Sequence, residues 1–292
     1  MVSVWAVVVT YNRRDLLREC LNALRSQSRP PDHVLVVDNA STDGTPELVR
    51  SEFGEVELLT LPENAGGAGG FHAGLERAYE EGAEWMWLMD DDTIARPDAL
   101  DALLAAPARL QGRAAPLLLG SRVVWTNGEL HPMNYPSFKR EPAEQFIEAT
   151  RRGLLPLRMA TFVSLLVHRD AVEGFGLPLA HYFIWSDDIE YTARVLRTGP
   201  LGYLVPESTV EHRTKSAHTA VTDTGGRFYF HVRNSVYMLR SSAWSLREKA
   251  SLVWMLYVTT HAYLRRNRFG RQSVALVARA MRDGVRPVPA AP

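Results

Sequence analysis

The chain has 292 residues, 46% hydrophobic and 23% charged, enough to bury one large core with an appendage and too apolar for a disordered chain. Its single cysteine, Cys20, excludes an intrachain disulfide and a cysteine zinc cluster, and an ordinary reducing cytoplasm is the expected compartment. Net charge is zero, yet residues 1–211 carry 19 Lys and Arg against 30 Asp and Glu (−11) while 212–292 carry 14 against 3 (+11), which predicts an acidic, cation-using body and a basic tail that meets anions such as diphosphates or lipid head groups, or else docks on the body.

The amino terminus lacks a basic segment, and no window reaches 18 uninterrupted apolar residues, so neither a signal peptide nor a membrane span is expected. Residues 5–9 are continuously apolar, as in a parallel strand covered on both faces, and end in Thr10, Tyr11 and Asn12. Asn12 is placed to cap a helix in which Leu16, Leu17, Cys20, Leu21 and Leu24 recur at helical spacing, so Cys20 belongs to the core. A second strand over 34–37 closes on Asp38 and Asn39, and Asp43-Gly44-Thr45-Pro46 turns into a second helix with Pro46 at its first position. A third strand over 56–61 leads to Asn64 and the glycine-rich run 66–70. That run lacks a Walker ending and follows the third strand, so it is no dinucleotide or P-loop site. Its glycines suit close backbone approach to a ligand, or a flexible turn before the helix 71–83.

The apolar strand 85–89 then delivers Asp90, Asp91 and Asp92. Side chains alternate along a strand, so Asp90 and Asp92 point one way and Asp91 the other. Two such close like charges require a bound cation, solvation or a proton, and oxygen ligands suit magnesium or manganese. The βα alternation up to this point predicts an open, mainly parallel sheet with helices on both faces, binding ligands beyond the carboxyl ends of its strands, where Asp38 and the acidic triplet lie.

Past residue 115 the pattern gives shorter strand candidates over 117–124 and 161–168, separated by a Pro-rich polar stretch, 127–156, read as acceptor-side loops and helices. Trp185-Ser186-Asp187-Asp188-Ile189-Glu190-Tyr191 places three carboxylates beside aromatics, suiting either general-base catalysis with Trp185 holding a sugar ring or an acidic helix start. His212 follows an apolar strand over 201–205 and is available to close a metal shell with Asp90 and Asp92. Residues 225–283 read as mostly helical, with an amphipathic stretch over 252–264 followed by Arg265, Arg266 and Arg268, and 286–292 as a frayed end.

In order, Val-Val-Val-Thr-Tyr-Asn-Arg (7–13), Val-Val-Asp-Asn-Ala-Ser-Thr-Asp-Gly-Thr (36–45), Asn-Ala-Gly-Gly-Ala-Gly-Gly (64–70), Asp-Asp-Asp (90–92), the acidic motif at 185–191 and His212 resemble family 2 glycosyltransferases of the GT-A fold. Within them the chain is most similar to bacterial galactofuranosyltransferases and rhamnosyltransferases. The resemblance implies a Rossmann-like GT-A domain over 1–215, followed by a basic helical extension over 216–292. It implies inverting transfer of a sugar from a UDP or dTDP donor to a hydroxyl of a lipid-linked or cell-surface glycan. By the same resemblance Asp90, Asp92 and His212 hold a manganese or magnesium ion, and Asp188 is the base with Asp187 and Glu190 as neighbours. Thr10, Tyr11, Arg13, Asp38, Asn64, Gly66, Gly67 and Asp91 would contact the nucleotide sugar, and Trp185 the acceptor or sugar ring. Ser186 intervenes between Trp185 and the acidic pair, where related galactofuranosyltransferases often have Trp directly before it.

Polyprenyl-linked acceptors and the basic tail together predict peripheral contact with anionic membrane at the cytoplasmic face, and no nucleic-acid partner is expected. A sugar nucleotidyltransferase would need a basic, glycine-rich loop after the first strand, and residues 10–15 contain Arg13 and Arg14 but no glycine. A haloacid-dehalogenase-type phosphatase would need Thr where Ile94 stands. A non-catalytic carbohydrate-binding protein leaves both acidic clusters without a task.

Overall fold

The computed structural model describes residues 2–110, 112–140, 142–199, 201–214 and 226–287; most of the expected frayed end lies outside them. The first half runs β1 (Val4–Thr10), α1 (Arg14–Arg25), β2 (His33–Asp38), α2 (Thr45–Glu52), β3 (Glu57–Thr60), α3 (Gly66–Glu80) and β4 (Trp85–Asp90). It continues through β5 (Thr93–Ala95), α4 (Ala99–Ala105), β6 (Leu118–Val124), β7 (Ser137–Phe138), α5 (Ala143–Arg151), β8 (Leu155–Met159), β9 (Leu165–His168), α6 (Arg169–Phe175), α7 (Asp187–Val195) and β10 (Gly202–His212). Three helices close the described chain: α8 (Phe228–Arg240), α9 (Leu246–Arg266) and α10 (Arg271–Val285).

The strands form one sheet in the order β3-β2-β1-β4-β9-β6-β10-β8-β7, with β5 on β10. β3, β2, β1 and β4 are mutually parallel, and the order reverses between β1 and β4. That reversal opens a crevice at the carboxyl ends of these two strands, where ligands of open α/β sheets bind. From β9 onward the sheet is mixed, β9 running antiparallel to both β4 and β6 while β10 runs parallel to β6. β1 is buried along its length because both faces are covered: Val4, Ala6 and Val8 pack with Leu17, Cys20, Leu21 and Leu24, whereas Trp5, Val7 and Val9 pack with Phe71 and Leu75. α3 lies close on the sheet because a Cβ at Gly74 would come 2.4 Å from Val7 Cγ1.

Several local expectations are corrected. Asn12 does not cap α1; at φ 52° its Oδ1 accepts the Thr42 amide (2.7 Å), tying the loop after β1 to the loop after β2. The glycine run is no flexible turn, since α3 begins at Gly66 and not at Phe71. The stretch 127–156 contributes the start of a strand, β8, which pairs with β10. β9 covers only the end of the expected 161–168 strand, and β10 extends well beyond 205, through a bulge between Val205 and Thr209, to His212 itself.

One core cluster lies wholly beyond the boundary expected at 215/216, and another crosses it. Met238, Ala243 and Trp244 beyond it pack with Ala68, Tyr182 and Ala193 before it. α9 is also not simply amphipathic: Leu256 and Tyr263 pack against Phe228, Val232 and Ala280, while Val253, Trp254, Met255, Tyr257 and Val258 are exposed on its other side. Among the described residues no helix is long and apolar enough to cross a membrane.

Candidate active site

β4 ends at Asp90, and the turn that follows splits the acidic triplet between two directions. Asp91 turns back under the end of β1, where it accepts the Thr10 hydroxyl (2.7 Å) and the Tyr11 amide (3.4 Å), and its amide donates to Val9 O. Burial pushes its carboxyl up to about 7 despite Arg13 beside it. Arg13, half-exposed, bridges Asp91 and Asp92 across the mouth of the crevice. Asp91 and Thr10 therefore shape the floor of the crevice, while Tyr11 and Arg13 remain accessible at its rim.

Asp90, Asp92 and His212 converge, each offering one ligand atom within 4.8 Å of the other two. β5 brings them together: His212 pairs with Thr93 in the antiparallel β5–β10 ladder, and the Arg213 amide donates to Asp92 O. The imidazole is oriented from behind. Asn134 Nδ2 donates to Thr161 Oγ1 (3.0 Å), which turns its Oδ1 toward His212 Nδ1 at 2.8 Å, so that Nδ1 carries the proton. His212 also packs on the ring of His131, which burial keeps neutral by pulling its pKa down to about 4. Nε2 of His212 then faces Asp92 Oδ1 at 3.1 Å, and that buried oxygen accepts no hydrogen bond. A lone pair set against a carboxylate oxygen needs a proton or a cation between them. Two carboxylates and an imidazole whose other nitrogen is held by an acceptor fit a divalent manganese or magnesium ion. Burial and the neighbouring Asp92 also raise Asp90, to about 6.

Facing this cluster is the segment before α7. Phe183, Trp185 and Ser186 all have left-handed backbone (φ 64°, 65° and 70°), which costs roughly 1–2 kcal/mol at each non-glycine position. The segment is held from two sides. Toward α3, the Ala68 amide donates to Phe183 O (3.1 Å), and Gly66, itself left-handed, leaves room for that carbonyl. Toward α8, Asn234 donates to the carbonyls of Tyr182, Ile184 and Trp185 at 2.8–3.0 Å. Asp187 and Asp188 follow at the start of α7. Asp187 is buried, whereas Asp188 keeps partial access, and its Oδ1 accepts the Ile189 amide (2.7 Å). Burial lifts Asp188 to about 7, with the facing Asp90 charge adding to the rise. Trp185 is half-buried, and among the described residues its ring meets no other aromatic ring.

The remaining candidate residues have partners within the protein. Glu190 is buried, with its carboxylate engaged by Arg194 and Ser241, so it ties α7 to the end of α8. Asp38 is fully buried, and both its oxygens accept the Ser41 amide at 3.2 Å, which shapes the loop after β2. Asn64 accepts the Gly66 amide (2.8 Å). At Gly66 the close neighbour is the Phe183 carbonyl, so the close approach inferred from the glycine run is between protein segments there; only Gly67 opens on free space. Asn134, His131 and Asn234 escaped the sequence analysis. Asn134 and His131 sit in an irregular stretch without periodicity, and Asn234 lies among the polar residues Arg233 and Ser235, where nothing in the sequence marks it.

The glycosyl transferase family 2 model matches residues 5–173. The chain is 31% identical over 267 residues to the galactofuranosyltransferase GlfT1 of Mycobacterium tuberculosis, covering 87% of each protein. It is 27% identical over 303 residues to the N-acetylglucosaminyl-diphospho-decaprenol L-rhamnosyltransferase of the same organism, covering 93% of this chain and 96% of that one. Among solved structures it resembles S. aureus TarS 1-349 in complex with UDP-GlcNAc, with a TM-score of 0.64 at 15% identity over 98% of this chain and 82% of that one. It also resembles the mannosyltransferase PcManGT from Pyrobaculum calidifontis in complex with GDP-Man and Mn2+, with a TM-score of 0.53 at 20% identity over 98% and 76%. At these identities the structural likeness shows a shared fold.

Proposed function

Since the chain belongs to glycosyl transferase family 2 and is a glycosyltransferase of GT-A fold, we propose that it catalyses inverting, divalent-metal-dependent transfer of galactofuranose or rhamnose from a UDP or dTDP donor to a hydroxyl of a lipid-linked or cell-surface glycan. The observation that carries this reading is the nearness of two carboxylate clusters: Asp90, Asp92 and His212 on one side, and on the other Asp188, whose ionisation the Asp90 charge opposes. A bound manganese or magnesium ion would neutralise the charge of the departing diphosphate. Arg13, already paired with Asp91 and Asp92, is a second cation at the same mouth. Asp188 takes the proton of the acceptor hydroxyl as the acceptor oxygen bonds to the anomeric carbon and the bond to the diphosphate oxygen breaks on the opposite face. Attack and departure on opposite faces invert the configuration. Asp187 orients the pair, and Trp185, half-buried with no ring partner among the described residues, offers a face to a sugar.

The names of the two mycobacterial relatives support the donor sugars, and the decaprenol of the second supports a polyprenyl-linked acceptor. Residues 1–215 are proposed as the donor and metal body and 216–292 as its basic helical extension. On that extension the exposed Trp254, Met255, Tyr257 and Val258 lie in the same helix as Arg265 and Arg266. Among the described residues Arg265, Arg266 and Arg268 form no ion pair with the acidic body, which supports peripheral contact of this part of the extension with anionic lipid at the cytoplasmic face, while 238–244 pack on the body.

The test is nucleotide release from UDP-galactofuranose, dTDP-rhamnose and common UDP-hexoses with manganese present, then after exhaustive chelation. One furanosyl or rhamnosyl donor should be turned over, and activity should vanish with EDTA and in Asp92→Ala. Full turnover in the chelated protein would remove the metal from the reading, and no turnover of any donor would overturn the donor class.

A further inference from the structure

The geometry points to Asn234 of α8 as a positioning residue that holds the base-bearing loop in its left-handed conformation, an inference that rests on Asp188 being the base. Asn234 is fully buried in the middle of a helix, where an amide with no task would be costly. All of its donor capacity goes to one segment: Nδ2 reaches Tyr182 O at 3.0 Å, Ile184 O at 2.8 Å and Trp185 O at 2.8 Å. These carbonyls converge because Phe183 and Trp185 are left-handed, so a single NH2 group reads a backbone shape that an ordinary extended loop would not present. Its Oδ1 is spent as well, accepting from Arg233 Nε (3.0 Å), and Arg233 Nη2 donates onward to His181 O (2.9 Å) and Tyr182 O (2.7 Å).

The rings of α8 continue the clamp, Phe230 stacking on Phe183 at 5.0 Å and Tyr237 meeting Tyr182 at 5.6 Å. On its other side the loop rests on the start of α3, through Phe183 O and the Ala68 amide. Ser186, the last left-handed residue, directly precedes the first turn of α7 that carries Asp187 and Asp188, and it makes no side-chain cap. The position of Asp188 at the start of α7 is therefore set by the carbonyls that Asn234 grips, since Ser186 supplies no cap, while the Ile189 amide fixes its carboxylate locally. The donor and metal side is built on β1, β4, β5 and β10 and does not touch Asn234, so loosening the clamp should separate turnover from nucleotide binding.

The experiment uses the full chain with Asn234→Ala and Arg233→Ala. It reads hydrogen exchange over 182–190, turnover of whichever donor the wild type uses, and calorimetric affinity for UDP with manganese. For Asn234→Ala we expect exchange over 182–190 to rise at least about tenfold with β1 and β4 unchanged, kcat to fall by about 10–100-fold, and UDP affinity to stay within about threefold. Unchanged exchange overturns the inference, as does a loosened loop with intact kcat, or a parallel loss of kcat and UDP affinity that marks general damage. If Asn234→Ala does not fold, Arg233→Ala carries the test, with kcat lower by about 3–10-fold at unchanged UDP affinity, and wild-type kcat overturns the inference. Failure of the glycosyl-transfer reading shows separately, as absence of turnover in the wild type.

Discussion

Replacing Gly66 by Ala separates two uses of a glycine beside a donor site, room for a ligand and room for another part of the protein. The backbone at Gly66 is left-handed (φ 73°), and an added Cβ would stand 2.0 Å from Phe183 O and 2.9 Å from Phe183 Cδ2. The left-handed conformation alone costs Ala about 1–2 kcal/mol. Relieving the contact requires the segments to part by roughly 1 Å or more, since carbon and oxygen do not approach much inside 3 Å. That movement also sacrifices the Ala68 amide bond to Phe183 O, worth about 1 kcal/mol. The sum, about 2–3 kcal/mol, corresponds to a fall in Tm of roughly 4–12 °C for a domain of this size. Because the displaced carbonyl belongs to the loop that aims Asp188, a shift of this size should also lower turnover by about 10²-fold. The assay is thermal unfolding, turnover, and calorimetry with UDP and manganese, with Gly67→Ala alongside. Gly67 has no atom within 4 Å of its would-be Cβ and sits in ordinary helical backbone, so its variant should keep or slightly gain stability. A Gly66→Ala protein with wild-type Tm that has lost UDP affinity would refute the reasoning and return the glycine to ligand contact.

Three further outcomes are expected. Burial raises the Asp188 carboxyl to about 7, and a base works only when ionised, so kcat should fall about tenfold from pH 8 to pH 6; Asp188→Asn should flatten that limb and cost about 10²–10⁴ in turnover, Asp187→Asn less, and near-wild-type turnover of Asp188→Asn would exclude Asp188 as the base. Asn134→Ala frees the Nδ1 side of His212 and should weaken manganese binding, measured by calorimetry with UDP, by about 10–100-fold, whereas unchanged affinity would mean that His212 needs no partner. Trp254→Ser with Tyr257→Ser should abolish co-sedimentation with anionic vesicles, and Gln at Arg265, Arg266 and Arg268 should remove its salt dependence; retention of both would place the lipid contact elsewhere.

The parallel half of the sheet was legible because continuous apolar runs and helical periodicity are local properties, as with β1, α1 and β4. The second half was less so. β8 opens with Leu155 and Pro156 and has meaning only once β10 pairs with it, and β10 continues through Pro206, a residue that argues against a strand until a bulge accommodates it. At the site, the opposite directions of Asp91 and of Asp90 with Asp92 could be anticipated from strand alternation, although it is the turn after β4 that sets them. The environment of Asp38, Glu190 and Gly66 could not, because the partners that occupy them, Ser41, Arg194 with Ser241, and the Phe183 carbonyl, act through turn geometry or across long sequence distances. Asn134 and Asn234 bear on the site at long range, on residues 78 and roughly 50 positions away, and no single-sequence pattern encodes such pairs.

The bulge in β10 bears on which length changes descendants of this chain can tolerate. Pro206, Glu207 and Ser208 are looped out between two stretches in register with β6, and the ladder downstream sets His212 opposite Thr93. Because neighbouring strand positions face opposite ways, gaining or losing one codon between Thr209 and His212 would present Glu211 or Arg213 in place of the imidazole, an extra negative charge or a positive one. The bulge upstream is the natural buffer for such indels, since its residues lie outside the ladder. Drift in length should therefore collect at 206–208 and be purged from 209–212, a pattern that can be scored by selecting functional variants from a single-codon insertion and deletion library across β10.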